Sequence, residues 1–311
     1  MLSVVIPSFN ESDNIINTIE EIKDVIEKKI FSKKYEIIVT DDHSTDNTYQ
    51  IVESFNDVRI KCIRLSRRSG SHIALRAGIA NARGDAVLCI SADGQDDPNV
   101  LEEMLKKLHE GAQIVWALRK KRKESFLIKR SVLIFYRTLE LLTDTKKSEI
   151  DLSRADFYLL DKKVVDAINH CPERNTSLFG LINWLGFKQD YVEFERRERK
   201  SGKSKWNFRA RFHLAKDWII AFSGLPLKLM SILGALVALI GFLYAIFIVI
   251  HAIIGNPIQG WTSIMIVILI LGGLQMIMFG ILGEYLWRNI DESRRRPLYF
   301  IEKTTFKKLE E

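Results

Sequence analysis

The chain has 311 residues, room for about two ordinary domains, and is 47% hydrophobic and 27% charged. That balance excludes a disordered chain and a disulfide-stapled mini-protein. A formal charge of +7 points toward an anionic surface, and the mean hydropathy of -0.01 averages an apolar C-terminal stretch with a highly charged remainder. Cys62, Cys89 and Cys171 are scattered without a CxxC pair, which argues against a disulfide framework and against structural zinc.

In chain order, Ser3–Pro7 reads as a short strand. The residues from Met1 carry no basic n-region and break after a few apolar positions, so no secretory signal is expected. An amphipathic helix is predicted over Asp13–Lys29, with Ile15, Ile16, Ile19, Ile22, Val25 and Ile26 on one face. A strand over Tyr35–Thr40 ends at Asp41-Asp42, and a second helix starts near Asp46, itself a helix cap or turn former. A strand over Val58–Leu65, a helix over His72–Asn81 and a strand over Ala86–Ile90 continue the alternation. Strands separated by helices imply βαβ units, an α/β fold with a mostly parallel sheet. Ligands of such sheets sit beyond the carboxyl ends of the strands, here residues 8–11, 41–46 and 91–97. Neither GxGxxG nor GxxxxGK[ST] occurs, which disfavours a dinucleotide-binding or P-loop protein.

Leu118–Leu142 interleaves Lys and Arg with Phe, Leu and Ile. It reads as interfacial helices on anionic lipid, or as a charged face over a protein core. Residues 208–228 read as a juxtamembrane helix. Leu229–Ile254 holds no Asp, Glu, Lys or Arg and a single histidine, His251, and Trp261–Gly283 holds none of these. Each is long enough to cross a hydrocarbon core of about 30 Å, with turn formers Gly255, Asn256 and Pro257 between them. The outer flanks are basic: Arg209, Arg211, Lys216 and Lys228 before, Arg288 and Arg294–Arg296 after. The positive-inside rule places both flanks, a domain over residues 1–207 and a basic tail over 284–311 in the cytoplasm. Nucleic acid is not expected as a partner, because no nucleic-acid motif accompanies the charge.

The predicted strand ends are acidic. Glu11, Asp41, Asp42, Asp93 and Asp96 in one crevice would repel one another unless they neutralised a cation or hydrogen-bonded a polyol. An all-oxygen set without His or Cys favours Mg²⁺ or Mn²⁺ over zinc.

Val4–Glu11, Asp41–Asp46 and Ser91–Asp96 together resemble successive signatures of the inverting, GT-A-fold glycosyltransferases of family 2. With two C-terminal spans, the chain is most similar to the polyisoprenyl-phosphate glycosyltransferases, which include dolichyl-phosphate mannose synthase and bactoprenol glucosyltransferase. Asp156–Asp161 resembles that group's acidic segment beside the acceptor. Arg196, Arg199, Gly202, Ser204 and Lys205 resemble its basic loop near the donor diphosphate, and Phe222, Ser223 and Pro226 its entry to the first span. The resemblance implies transfer of a sugar from a nucleotide-diphosphate donor to undecaprenyl or dolichyl phosphate at the cytoplasmic face of a membrane, most simply a bacterial inner membrane. It implies Mg²⁺ or Mn²⁺ at Asp93, with Asp93 and Asp156 as catalytic residues. Donor binding falls to Pro7, Phe9, Glu11, Asp41, Asp42, Ser91, Asp93, Gln95, Asp96, Arg196, Arg199, Ser204 and Lys205. Membrane lipids are expected partners, as is a possible homo-oligomer. The family usually has Asp-x-Asp where this chain has Ser91-Ala92-Asp93. That departure motivates an alternative, an inactive membrane adaptor that keeps the fold. A polysaccharide-exporting synthase is disfavoured by the two spans and the absence of QxxRW.

Overall fold

A computed structural model describes residues 1–30, 34–120, 150, 154–174, 176–197, 225–254 and 260–306. Its contacts divide the chain into two units, one built on a sheet and one on two long helices.

The apolar runs form strands β1 (Leu2–Ser8), β2 (Tyr35–Asp41), β3 (Ile60–Leu65) and β4 (Ala86–Cys89). All pair in parallel, β1 lying between β2 and β4 and β3 lying beyond β2. The crossovers carry helices α1 (Ile15–Val25), α2 (Thr48–Glu53) and α3 (Ser71–Ala80). Side chains alternate faces along a strand, and here both faces are covered. Val4, Ile6, Ile37 and Val39 pack with Ile15, Ile19 and Ile22 of α1, whereas Val5 and Ile38 pack with Ala74 and Ala77 of α3. Burial on both faces explains why these strands read as unbroken apolar runs. The expected face of α1 holds except at Ile16, which is 41% exposed. The helix ends earlier than predicted, in a π turn over Ile26–Ile30.

The second half of the sheet unit contains α4 (Leu101–His109), β5 (Ile114–Arg119), β6 (Ala155–Asp161), α5 (Lys162–Asn169), α6 (Leu178–Trp184) and β7 (Gln189–Phe194). A last strand, β8 (Ile301–Thr304), gives an eight-stranded sheet of order β7-β5-β6-β4-β1-β2-β3-β8. The pairs β4–β6, β5–β6 and β3–β8 are antiparallel and the other four are parallel. Direction decides what reaches the ligand-binding rim. A strand antiparallel to β4 begins where β4 ends, so β6 starts there, bringing Asp156. β5 and β7 end there, bringing Arg119 and the residues after Phe194. β8, antiparallel to β3, begins at the same rim beside Leu65. Asp161, at the far end of β6, has a different role: its carboxylate accepts from the Lys163 amide at 2.8 Å and caps α5.

Among the described residues, the second unit holds α7 (Leu225–Ile253) and α8 (Trp261–Ser293). Among the described residues one stretch, Ile270–Ser293, is long and apolar enough to cross a membrane, and Leu229–Tyr244 is a shorter apolar stretch. Large apolar side chains stand exposed on both helices, among them Ile232, Phe242, Ile277 and Phe279. The interfacial segment predicted over 118–142 and the juxtamembrane segment over 208–228 lie almost wholly outside the described residues.

Helix α3 approaches the sheet closely at Gly78. A Cβ there would meet Val5 Cγ1 at 2.2 Å and Thr40 Oγ1 at 2.8 Å, both on strands that hold the site. Gly78→Ala is expected to destabilise the protein by about 1–3 kcal/mol through overpacking, despite alanine's higher helix propensity; thermal melts of the purified protein would measure it.

Candidate active site

The loops after β1 and β2 are fastened to each other. Asn10, with φ 55°, donates its amide to Ser44 Oγ at 3.0 Å, and its side-chain oxygen accepts the Thr45 amide at 2.8 Å. The Glu11 amide donates to Thr48 Oγ1 at 3.0 Å and the Ser12 amide to Asp46 at 3.2 Å. Asp46 also accepts the Thr48 amide at 3.0 Å, two residues on, which makes it the turn former ahead of α2 while Asn47 stands at the N-cap. Glu11 takes part in the turn that starts α1, accepting from Asn14 Nδ2 at 2.8 Å. Pro7 lies near the end of β1, opposite Thr40, and Phe9 follows it with the Arg68 guanidinium 4.2 Å above its ring.

Adjacent residues Asp41 and Asp42 face different surroundings. Asp41 is fully buried; it accepts from Arg64 Nη1 at 2.6 Å and from the Ser44 amide at 3.0 Å. It therefore shapes the turn from beneath. Asp42 accepts the Ser69 and Gly70 amides at 2.6 and 2.8 Å. Gly70 has φ 94°, a conformation L residues rarely adopt, and this bends the chain so that its amide meets the carboxylate. Burial raises the Asp42 carboxyl above its usual range, against the pull of these amides and Arg68.

A second cluster lies across β1, at the end of β4. Two strand spacings of about 4.8 Å separate it from the Asp41–Asp42 turn, about 10 Å in all. Ser91 bridges two carboxylates, its hydroxyl 2.8 Å from Asp93 Oδ1 and 2.5 Å from Asp96 Oδ2. The Ser91 amide also donates to Asp96, at 3.1 Å, and the Gln95 amide to Asp93, at 3.2 Å. Burial pushes the Asp96 carboxyl up to about 6, with the Ser91 hydrogen bonds opposing and the charges of Asp156 and Asp93 adding. The Ser91 hydroxyl has one proton to share between the two carboxylates, and burial makes Asp96 hold a proton more readily than an exposed aspartate. Aspartate at position 91 would add another negative charge to this crowd.

Asp156 enters from β6 and meets two arginines, Arg119 Nε at 3.2 Å and Arg196 Nε at 3.7 Å. Its carboxyl is raised by burial, with Arg119 and Arg196 pulling the other way and Asp93 adding to the rise. Arg196 also donates to the Gln95 side chain at 2.8 Å. Arg197 fastens the same segment: its amide donates to the Gln95 carbonyl at 3.0 Å, and its guanidinium pairs with Glu21 and with Asp97, the latter at 2.8 Å. Asp93, Gln95, Asp96, Asp156 and Arg196 therefore form one group, and Asp41 and Asp42 form another. Arg199, Ser204 and Lys205 lie outside the described residues. Arg119, Arg197 and Arg64 belong to these groups although no sequence pattern marks them. Position at a strand end is the one signal Arg119 and Arg64 carry.

The donors in the second cluster are all oxygens, as a hard divalent cation requires. Among the described residues no three His, Cys, Asp or Glu side chains stand close enough to hold a metal by themselves. Mg²⁺ commonly takes one or two carboxylates and completes its shell with substrate phosphates and water, and a set centred on Asp93 fits that pattern.

The description of Glycosyl transferase family 2 matches residues 3–171, which include both carboxylate groups. The chain belongs to glycosyl transferase family 2. It is a glycosyltransferase with a GT-A-like α/β fold and a mostly parallel sheet. Likeness to relatives runs through nearly the whole chain. A Synechocystis sp. protein named as an uncharacterized glycosyltransferase is 40% identical over 304 residues, 96% of this chain and 94% of that protein. The bactoprenol glucosyl transferase of Shigella phage SfV is 36% identical over 304 residues, 97% and 98% of the two chains. Among solved structures, glucosyl-3-phosphoglycerate synthase from Mycobacterium tuberculosis is 18% identical with a TM-score of 0.48, covering 71% of this chain and 78% of that one.

The raised Asp96 carboxyl has a consequence for stability. An acid whose folded pKa exceeds its unfolded one binds more protons folded than unfolded between the two values, so stability falls as pH rises through that window. For Asp96 the window runs from 3.8 to about 6. Acids held low, such as Glu36 and Asp190, act in the opposite direction. The readout is therefore a difference: between pH 3.8 and about 6 the stability of Asp96→Asn relative to wild type is expected to rise with pH in thermal melts of the metal-free glycosyltransferase.

Proposed function

We propose that this glycosyltransferase moves a sugar, with inversion, from a nucleoside diphosphate sugar to a polyisoprenyl phosphate at the cytoplasmic face of a membrane. The observation that carries the reading is near-full-length likeness to a protein named bactoprenol glucosyl transferase. The paired acidic groups at the sheet rim and the exposed apolar helices support it.

In this reading Asp42 and the backbone of Pro7–Phe9 receive the nucleoside, with Asp41 fixing the turn that presents Asp42. The separation of about two strand spacings then sets the diphosphate beside Asp93. Asp93, with Asp96 and Ser91 behind it, would hold Mg²⁺ or Mn²⁺, which when bound offsets charge on the leaving diphosphate. Arg196 stands at the base of the basic segment that includes Arg199, Ser204 and Lys205, and charge-assisted hydrogen bonds from that segment would serve the same diphosphate.

The acceptor oxygen belongs to a phosphate whose second pKa, near 6 by analogy with phosphate monoesters, leaves it largely ionised at neutral pH. A strong base is unnecessary; alignment is what the site must supply. Asp156 supplies it indirectly. Pairing with Arg119 and Arg196 aims two guanidinium groups at the place an incoming phosphate would occupy, so Asp156 orients the acceptor rather than deprotonating it. Attack on the anomeric carbon from the face opposite the diphosphate forms the new carbon–oxygen bond as the old one breaks, and the electron pair leaves on the diphosphate. A long isoprenoid chain remains in the bilayer while its phosphate emerges, which gives α7 and α8 a purpose as a two-span hairpin. Their exposed Ile, Leu and Phe side chains form an apolar surface larger than a soluble protein tolerates, and the basic flanks set the cytoplasmic side.

Purified protein in detergent with UDP-glucose, undecaprenyl phosphate and Mg²⁺ is expected to form a lipid-linked sugar resolved by thin-layer chromatography. Donor turnover that is independent of lipid phosphate would remove the acceptor assignment. Asp93→Asn is expected to lower the rate about 100-fold or more and to abolish Mn²⁺ binding by calorimetry. Asp156→Asn is expected to raise the KM for lipid phosphate more than that for the donor.

A further inference from the structure

The match to the family description ends at residue 171, yet the sheet ends with a strand that starts at Ile301. Strand β8 pairs with β3 through Arg64 opposite Lys303 and Leu65 opposite Ile301, with a register shift between them. Glu302 is the residue left over by that shift. A bulge of this kind re-aims a side chain, and bulges concentrate beside active sites. Here the re-aimed carboxylate lies 3.1 Å from Arg64 Nε and 3.4 Å from His43 Nδ1.

Both contacts lead to the turn that carries Asp41 and Asp42. Arg64 uses its remaining nitrogens on Asp41, at 2.6 Å, and on the Ser44 carbonyl, at 3.0 Å. A guanidinium held on three sides has one orientation, and Glu302 supplies the third side. His43 sits inside the turn at φ 60°, a left-handed conformation that histidine enters more readily than most L residues. With a proton on Nδ1 its ring donates to the Leu65 carbonyl at 3.1 Å, and the same nitrogen faces Glu302. The carboxylate thus meets the turn at two points, through its buried support Arg64 and at His43.

We propose that Glu302 is a positioning residue for donor binding, acting through Arg64 and His43 on the Asp41–Ser44 turn. The inference rests on the reading of that turn as the nucleoside site. The C-terminal strand is then part of the donor site, although it follows the second long helix in the chain.

The test uses the full chain. Binding of UDP, GDP, CDP and dTDP is measured by calorimetry for wild type, Asp42→Ala, Glu302→Gln and Lys303→Gln, together with KM, kcat and Tm. Glu302→Gln is expected to weaken the nucleoside diphosphate that wild type binds by about 5–10-fold and to raise donor KM equally. Its kcat and Tm, and its KM for lipid phosphate, are expected to stay near wild type, and Lys303→Gln, the neighbour paired across the ladder, is expected to match wild type throughout. Donor affinity unchanged within about twofold in Glu302→Gln, or an equal loss in Lys303→Gln, overturns the proposal. A loss matched by a fall in Tm shows a merely structural role and overturns it as well. Wild type binding none of the four nucleotides, or Asp42→Ala binding as wild type does, overturns the nucleoside-site reading and this inference with it.

Discussion

Negative charge concentrated where a parallel sheet ends is the constraint that organises this enzyme. Carboxylates taken out of water are costly unless something positive or hydrogen-bonding meets them. Four separate answers are built into the fold. Asp42 is met by two backbone amides, Asp41 by a guanidinium and an amide, and Asp96 by a serine hydroxyl, an amide and a raised proton affinity. Asp156 is met by two arginines, Arg119 at the end of β5 and Arg196 just past the end of β7. Each answer fixes a carboxylate in place, so the charges at the rim stand preorganised.

Sheet topology makes those answers possible. In a purely parallel sheet the rim would collect strand ends only. The antiparallel strands β6 and β8 also bring strand beginnings there, so residues from the middle and the far end of the chain join those from its first hundred positions. The same arrangement explains Ser91. The bridge it makes between Asp93 and Asp96 occupies the place where the wider family usually has another acid, and it keeps both remaining carboxylates in register without adding charge.

The sequence made the first half of the sheet legible because β1 to β4 are apolar on both faces and punctuated by acidic loops. The loops at 8–11, 41–46 and 91–97 follow from that alternation alone. The second half was harder. β5 runs into the basic stretch that begins at Leu118, which in sequence resembles an interfacial helix. β8 is four residues, Ile-Glu-Lys-Thr, too short and too polar to show a period of two. Among the 46 Lys and Arg, only a place at a strand end sets Arg64 and Arg119 apart from solvated neighbours, and nothing local sets Arg197 apart, since their importance lies in pairing across long separations. Asp41 and Asp42 were equally visible as acids, but only coordinates show that one is buried beneath the turn while the other meets amides on the far side.

The strand at the far end of the chain also closes an edge. With β8 in place, the outer hydrogen-bonding groups of β3 are satisfied on that side. A fragment cut ahead of the two long helices would leave β3 as a bare template for pairing with another chain. Such a fragment would be drawn toward self-association through that edge, so a soluble version of this glycosyltransferase should carry residues 297–306 reattached by a linker.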